Sequence, residues 1–113
     1  VELNRDNSKA ISLKRAENLE NIYKSGLAEF LFENFPGSTI ILFGSYSKGE
    51  DTTESDVDIA VVGYEEKGLD LSKYSKMLHR EVVINFYSSF KEIDKNLRNN
   101  LLNGIVLSGG VEL

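Results

Sequence analysis

Two short stretches of the sequence carry residues that could do chemistry together. The first is Phe43-Gly44-Ser45-Tyr46-Ser47-Lys48-Gly49, at the end of the apolar run 40–43. Such a run reads as a buried strand, so Gly44-Ser45 falls where the strand stops and the backbone must turn. Gly44 has no Cβ, and a ligand can approach the chain closely there. Ser45 adds a hydroxyl, and a short helical turn over 46–48 would aim backbone N–H groups outward as an anion site. Lys48 brings a positive charge to the same rim, and Gly49 closes the segment.

The second stretch is Asp56-Val57-Asp58-Ile59-Ala60-Val61-Val62, whose β-branched residues predict another strand. Side chains at i and i+2 share a face of a strand, with Cα atoms roughly 6.6 Å apart. Two carboxylates so placed repel unless a cation lies between them. Hard oxygen ligands of this kind suit Mg²⁺, which keeps several waters and completes its shell with substrate phosphates. Alone, the Gly-Ser turn is usually just a turn and the Asp pair a solvated edge. In the order strand, Gly-Ser, ten residues, Asp-x-Asp, strand, they point to a nucleotide.

Gly44-Ser45, ten residues and Asp56-x-Asp58 resemble the signature of the nucleotidyltransferases of the DNA polymerase β superfamily, in particular the minimal nucleotidyltransferases of archaea and bacteria. The resemblance covers residues 40–87. It implies transfer of a nucleoside monophosphate, AMP foremost, from ATP or another NTP to an acceptor hydroxyl. Gly44, Ser45, Lys48 and Gly49 would hold the triphosphate, and Asp56 and Asp58 would hold Mg²⁺. Many relatives pair with a HEPN-type toxin and act as its antitoxin, some by adenylylating it.

The chain departs from that family's pattern at two places. The pattern has a third carboxylate on the next strand, and the alignment of His79-Arg80-Glu81-Val82-Val83-Ile84-Asn85 puts Val83 in that place. Valine cannot bind metal. Glu81 and Asn85 share the face of Val83 by the period of two, so Glu81 could reach in as a displaced catalytic acid; the alternative is a solvated strand-end charge and a weakened site. Where the family has arginine before the second glycine, Lys48 keeps the charge and loses the bidentate grip.

Several elements must position these residues. A helix is expected over 8–35, with Ala16, Leu19, Ile22, Tyr23, Leu27, Phe30 and Leu31 at helical spacing, N-cap candidates Asp6, Asn7 and Ser8, and a stop at Pro36-Gly37. Phe32 and Phe35 widen its apolar stripe; core packing is the expectation, and an exposed partner patch the alternative. Strands follow over 38–43 and 56–62. The polar loop 50–55 between them is expected to be solvated, with Ser55 helping to position the aspartate pair through a local hydrogen bond. A short helix over 70–78 would turn Leu71, Tyr74 and Met77 or Leu78 inward, ahead of a third strand over 81–87. Ser89 and Glu92 have the spacing of a capping box, opening a helix that carries Phe90, Ile93, Leu97 and Leu101 and stops at Asn103-Gly104. A last strand over 105–108 precedes the Gly109-Gly110 turn. The order predicts an α/β (α+β) domain spanning 1–113: a small mixed β-sheet of about four strands backed by helices, as in the nucleotidyltransferase fold, with its carboxylate-bearing face open.

Composition narrows the partners. Thirteen Lys and Arg against eighteen Asp and Glu leave a net charge of −5, which makes a nucleic-acid polymer an unsuitable partner. Cysteine is absent and His79 is the only histidine, so disulfides and zinc sites have no ligands. No apolar run reaches a membrane span, and the start does not read as a signal peptide, so a cytoplasmic protein is expected. A nucleotide fits this balance; the resemblance further implies a HEPN-type toxin as a partner, and a second copy of the chain in a homodimer is also expected. Two other functional classes compete with an enzyme acting on a protein: an antitoxin-like protein that neutralises a toxin by contact, and modification of a small cationic substrate such as an aminoglycoside.

Overall fold

The structure is a computed structural model that describes residues 2–110, with side chains from Ser8 onward. Its elements in chain order are α1 (Glu2–Lys24), α2 (Leu27–Asn34), β1 (Thr39–Phe43), α3 (Gly44–Lys48), β2 (Val57–Val62), α4 (Ser72–Leu78), β3 (Val82–Tyr87), a 3₁₀ turn (Phe90–Glu92), α5 (Lys95–Leu102) and β4 (Ile105–Ser108). The four strands form one mixed sheet in the order β3-β2-β1-β4. β1 runs antiparallel to both β2 and β4, and β2 runs parallel to β3. The expected small mixed sheet backed by helices is therefore the fold observed.

Strand alternation divides the apolar residues between two layers. Ile40 and Leu42 of β1, Val57, Ile59 and Val61 of β2, and Val82 of β3 face α1 and α2, where Ile22, Leu27, Leu31 and Phe35 close the larger core. Phe35 meets Tyr64 and Phe86 edge-on at 5.3 and 5.4 Å between ring centroids, so the aromatic end of α2 is core. The other face carries Ile41, Ala60 and Val62 beneath Phe90, Ile93 and Leu101. That face is not fully open, as the sequence suggests: the 3₁₀ turn and α5 cover part of it with a second, smaller core.

Three local expectations change. The helix over 8–35 is two helices, broken at Ser25-Gly26. Ser25 Oγ donates to Ile22 O at 2.9 Å and accepts from Leu27 N at 3.3 Å, so one hydroxyl serves both ends of the break. Both helices pack on the same core, which is why their apolar spacing runs on across the interruption. α1 also starts well before Ser8, so Asp6, Asn7 and Ser8 lie inside it and are not caps. The capping box fails as well. Ser89 makes no cap bond and the segment after it is only a 3₁₀ turn, in which Ser88 Oγ bonds Glu92 Oε2. The helix proper begins at Lys95, capped by Asp94, whose carboxylate accepts from Asn96 N at 3.0 Å. Of the inward residues expected for α4, Leu71, Tyr74 and Leu78 pack on the core while Met77 is exposed.

Gly49, which ends α3, lies flat against α1. A Cβ there would stand 2.5 Å from Ile11 O and 2.7 Å from Arg15 N, and its φ of 72° is already in the left-handed region. Replacing it strains its own backbone and pushes the main chain of α1. Gly49→Ala is expected to cost about 1–3 kcal/mol, read as a lower midpoint in urea denaturation.

Candidate functional site

Antiparallel pairing of β1 and β2 sets Phe43 opposite Asp58. The next residue along β1 is Gly44, so the turn starts against the second aspartate. Gly44 has φ of 79°, and a Cβ on it would stand 2.5 Å from Asp58 Oδ2. A side chain at 44 would therefore displace the carboxylate, and only glycine lets the turn and Asp58 occupy this corner together.

From there the chain coils into α3. Ser47 Oγ donates to Gly44 O at 2.7 Å, and Gly49 N–H closes the last turn. Ser45 and Lys48 are half-buried on the turn. Among the described residues the ion pairs are Lys24–Glu20 and Arg80–Asp51, so Lys48 carries its charge unpaired by any of them. Gly49 belongs to the packing against α1, although the sequence groups it with the phosphate-binding residues. Ser55 Oγ accepts from Thr52 N at 2.9 Å. It closes the turn leading into Asp56 and makes no bond to the carboxylates.

Asp56 is exposed and Asp58 half-buried. Burial, and then the neighbouring Asp56 carboxylate, push the Asp58 carboxyl above its ordinary value. The two acids stand close together, and among the described residues no cation is paired with either. The donor set fits Mg²⁺, which takes one or two carboxylates and leaves its other positions to water and phosphate.

Parallel pairing of β2 with β3 sets Val83 beside Asp58, so the neighbour of the buried aspartate is apolar. Glu81 lies just ahead of β3, with an exposed side chain. Its carbonyl accepts from Val57 N at 2.9 Å. Glu81 is among the residues lining an open hollow of about 650 Å³ beside α4, with Ser72, Ser75, Lys76 and His79. Among the described residues no group of three acidic, His or Cys side chains is gathered to hold a metal, so the structure does not bring Glu81 onto the aspartate pair.

Sequence reasoning missed a buried polar cluster behind the turn. Asp51, expected to be solvated, has a fully buried side chain and pairs with Arg80 Nη2 at 2.7 Å. Asn18 on α1, 1% exposed, donates to Asp51 Oδ1 at 2.7 Å and to Tyr46 O at 3.0 Å. Burial alone would raise the Asp51 carboxyl, but hydrogen bonds from Arg80 and Asn18 outweigh it and hold the group below its ordinary value. One signal was present in the sequence: Asn18 stands four residues before Ile22, a polar residue on the buried stripe of its helix.

A family model described as a nucleotidyltransferase domain matches residues 24–107, more than half of the chain, and this span includes the turn, the aspartate pair and the four strands except Ser108 at the end of β4. No curated protein gives a match.

The raised Asp58 carboxyl has a consequence for stability. Between the ordinary and the raised value, the folded chain binds more protons than the unfolded chain, so stability falls as pH rises through that window and stays reduced above it. Asp58→Asn removes the penalty. The variant is expected to have a higher thermal midpoint than wild type at pH 7, with the gain shrinking as pH falls into the ordinary carboxyl range. Scanning calorimetry across that range checks it; a variant less stable at pH 7 contradicts the account.

Proposed function

We propose, since the chain belongs to the nucleotidyltransferase domain family, that it transfers AMP, or another nucleoside monophosphate, from a magnesium-bound NTP to an acceptor hydroxyl on a partner protein, the hydroxyl oxygen attacking the α-phosphate as its proton is lost and pyrophosphate leaves. The observation that carries this reading is the approach of Gly44 to Asp58, which leaves no room for a Cβ. It supports a reading in which the turn would take phosphate and the aspartates beside it a divalent ion.

In this reading the triphosphate lies along Gly44 and Ser45, with the Lys48 ammonium as a point charge on its outer oxygens. Asp56 and Asp58 would hold Mg²⁺, which when bound would supply positive charge against the charge developing at the reacting phosphorus. Gly49 supports the turn from behind. Since transfer of this type depends mostly on positioning and electrostatics, the small site has the parts it needs. The acidic surface favours a protein acceptor over a nucleic-acid polymer. Residues 1–113 would act as one domain in the cytoplasm.

Val83 beside Asp58 favours a second reading. With no acid on that strand next to the pair, the chain would bind Mg–NTP and neutralise a HEPN-type toxin by contact, as an antitoxin-like protein. The resemblance to minimal nucleotidyltransferases supports such a partner.

Calorimetry is expected to show NTP binding that requires Mg²⁺, with the requirement abolished in Asp56→Asn/Asp58→Asn; equal wild-type affinity with and without the ion overturns the metal-bridge model. Transfer of labelled AMP to the co-purified partner separates the two readings. In an active enzyme, Asp58→Asn is expected to slow transfer by about 100- to 1,000-fold. Glu81→Gln, at an exposed residue not gathered with the aspartates, is expected to leave NTP affinity unchanged and transfer within about threefold; a large loss of turnover at constant affinity would show that Glu81 moves onto the pair in the transition state.

A further inference from the structure

All but the last residue of α1 lies outside the span matched by the family model, yet the turn is built against this helix. Asn18 is nearly fully buried, and its amide nitrogen donates both to Tyr46 O, inside α3, and to Asp51 Oδ1, just beyond it. An amide group carries two hydrogens, so the two bonds coexist. The other Asp51 oxygen accepts from Arg80 Nη2, and Arg80 Nη1 donates to Thr53 O at 3.1 Å, on the loop that runs on to Asp56. Arg80 stands two residues before β3, the strand whose Val83 lies beside Asp58. From the other side, Gly49 presses on the main chain of Ile11 and Arg15.

Stability alone gives little reason for an acid, a base and an amide in this place, because apolar residues of the same volume often stabilise an interior as well or better. What the polar cluster adds is direction. Charge-assisted bonds fix distances and angles that apolar contacts leave loose. The groups so fixed flank the turn on both sides: the Tyr46 carbonyl within it, and the 51–53 segment that leads to the aspartates.

We propose that Asn18, Asp51 and Arg80 are positioning residues for the nucleotide site, setting where the turn Gly44–Lys48 stands relative to Asp56 and Asp58, and that α1 is thereby a working part of that site. The proposal rests on the reading of this turn as the seat of the triphosphate.

The test uses the full chain as wild type, as Asn18→Leu, which keeps the branched shape and removes both bonds, as Arg80→Lys, which keeps the charge and loses the fork, and as Leu31→Ala, a cavity control in α2. For each, three quantities are measured: the thermal midpoint, the affinity for a non-transferable ATP analogue with Mg²⁺, and the backbone amide resonances of Gly44, Ser45 and Lys48 without nucleotide. Asn18→Leu and Arg80→Lys are expected to weaken binding by about tenfold or more and to shift those resonances, while Leu31→Ala, at an equal or larger loss of midpoint, keeps affinity within about twofold and the resonances in place. Wild-type affinity in both cluster variants, or an equal loss in the control, overturns the proposal. If wild type binds no nucleotide, the functional reading fails and the proposal falls with it as a statement about a nucleotide site; the resonances then show separately whether the cluster sets the turn, unchanged signals in the cluster variants overturning that as well. Should Asn18→Leu not fold, Arg80→Lys carries the same comparison.

Discussion

Phe43 against Asp58 is the pairing on which the site depends. Strand side chains alternate between faces, so a slip of one residue between β1 and β2 would send Asp58 into the larger core and Ile59 out of it. Burial on both sides of β2 forbids that slip: Ile59, Ala60 and Val61 are all fully buried, the outer two under the helices and Ala60 under α5. The register is thus fixed by apolar residues that do no chemistry. Because Gly44 follows Phe43 directly, fixing the register also fixes the approach of the turn to the carboxylate.

Two aspartates close in sequence meet opposite electrostatic fates. The Asp51 side chain is fully buried, yet Arg80 and Asn18 satisfy it and keep its carboxyl ionised. Its contribution to stability is therefore complete above the ordinary carboxyl range and lost as pH falls through the lowered value. At Asp58 burial goes uncompensated and the neighbouring Asp56 is another acid, so its carboxyl is driven the other way. Among the described residues a cation meets the first and none is paired with the second.

The parts legible in the sequence are those whose cause is local. Gly44, Ser45, Asp56 and Asp58 announce themselves through residue type and spacing, and the strands through β-branched runs. The structure places Gly44 against Asp58 as that spacing implies. The missed parts depend on contacts far along the chain. Asp51 sits in a run of polar residues, and nothing nearby indicates that Arg80, 29 positions on, will bury it. The Ser25-Gly26 break was visible as a glycine but was overridden by an apolar period that both helices share. Ser89 and Glu92 had the right spacing for a cap, and lost to Asp94, whose carboxylate lies nearer the true start of α5.

The placement of β4 bears on how the chain is made. β1 is an interior strand of the finished sheet, but one of its two neighbours is the last strand described, with Ile40 opposite Ser108. During synthesis β1 and β2 emerge and pair long before residues 105–108 leave the ribosome. For that interval the Thr39–Phe43 ladder presents a bare apolar edge, with no proline or charged residue along it to discourage pairing with another chain. The slowest contact to close, across the longest loop, is therefore also the one that removes the sheet's most adhesive edge. Nascent chains interrupted before β4 should be the species that chaperones hold and that aggregates collect, even though the turn after β1 and both aspartates have already been made.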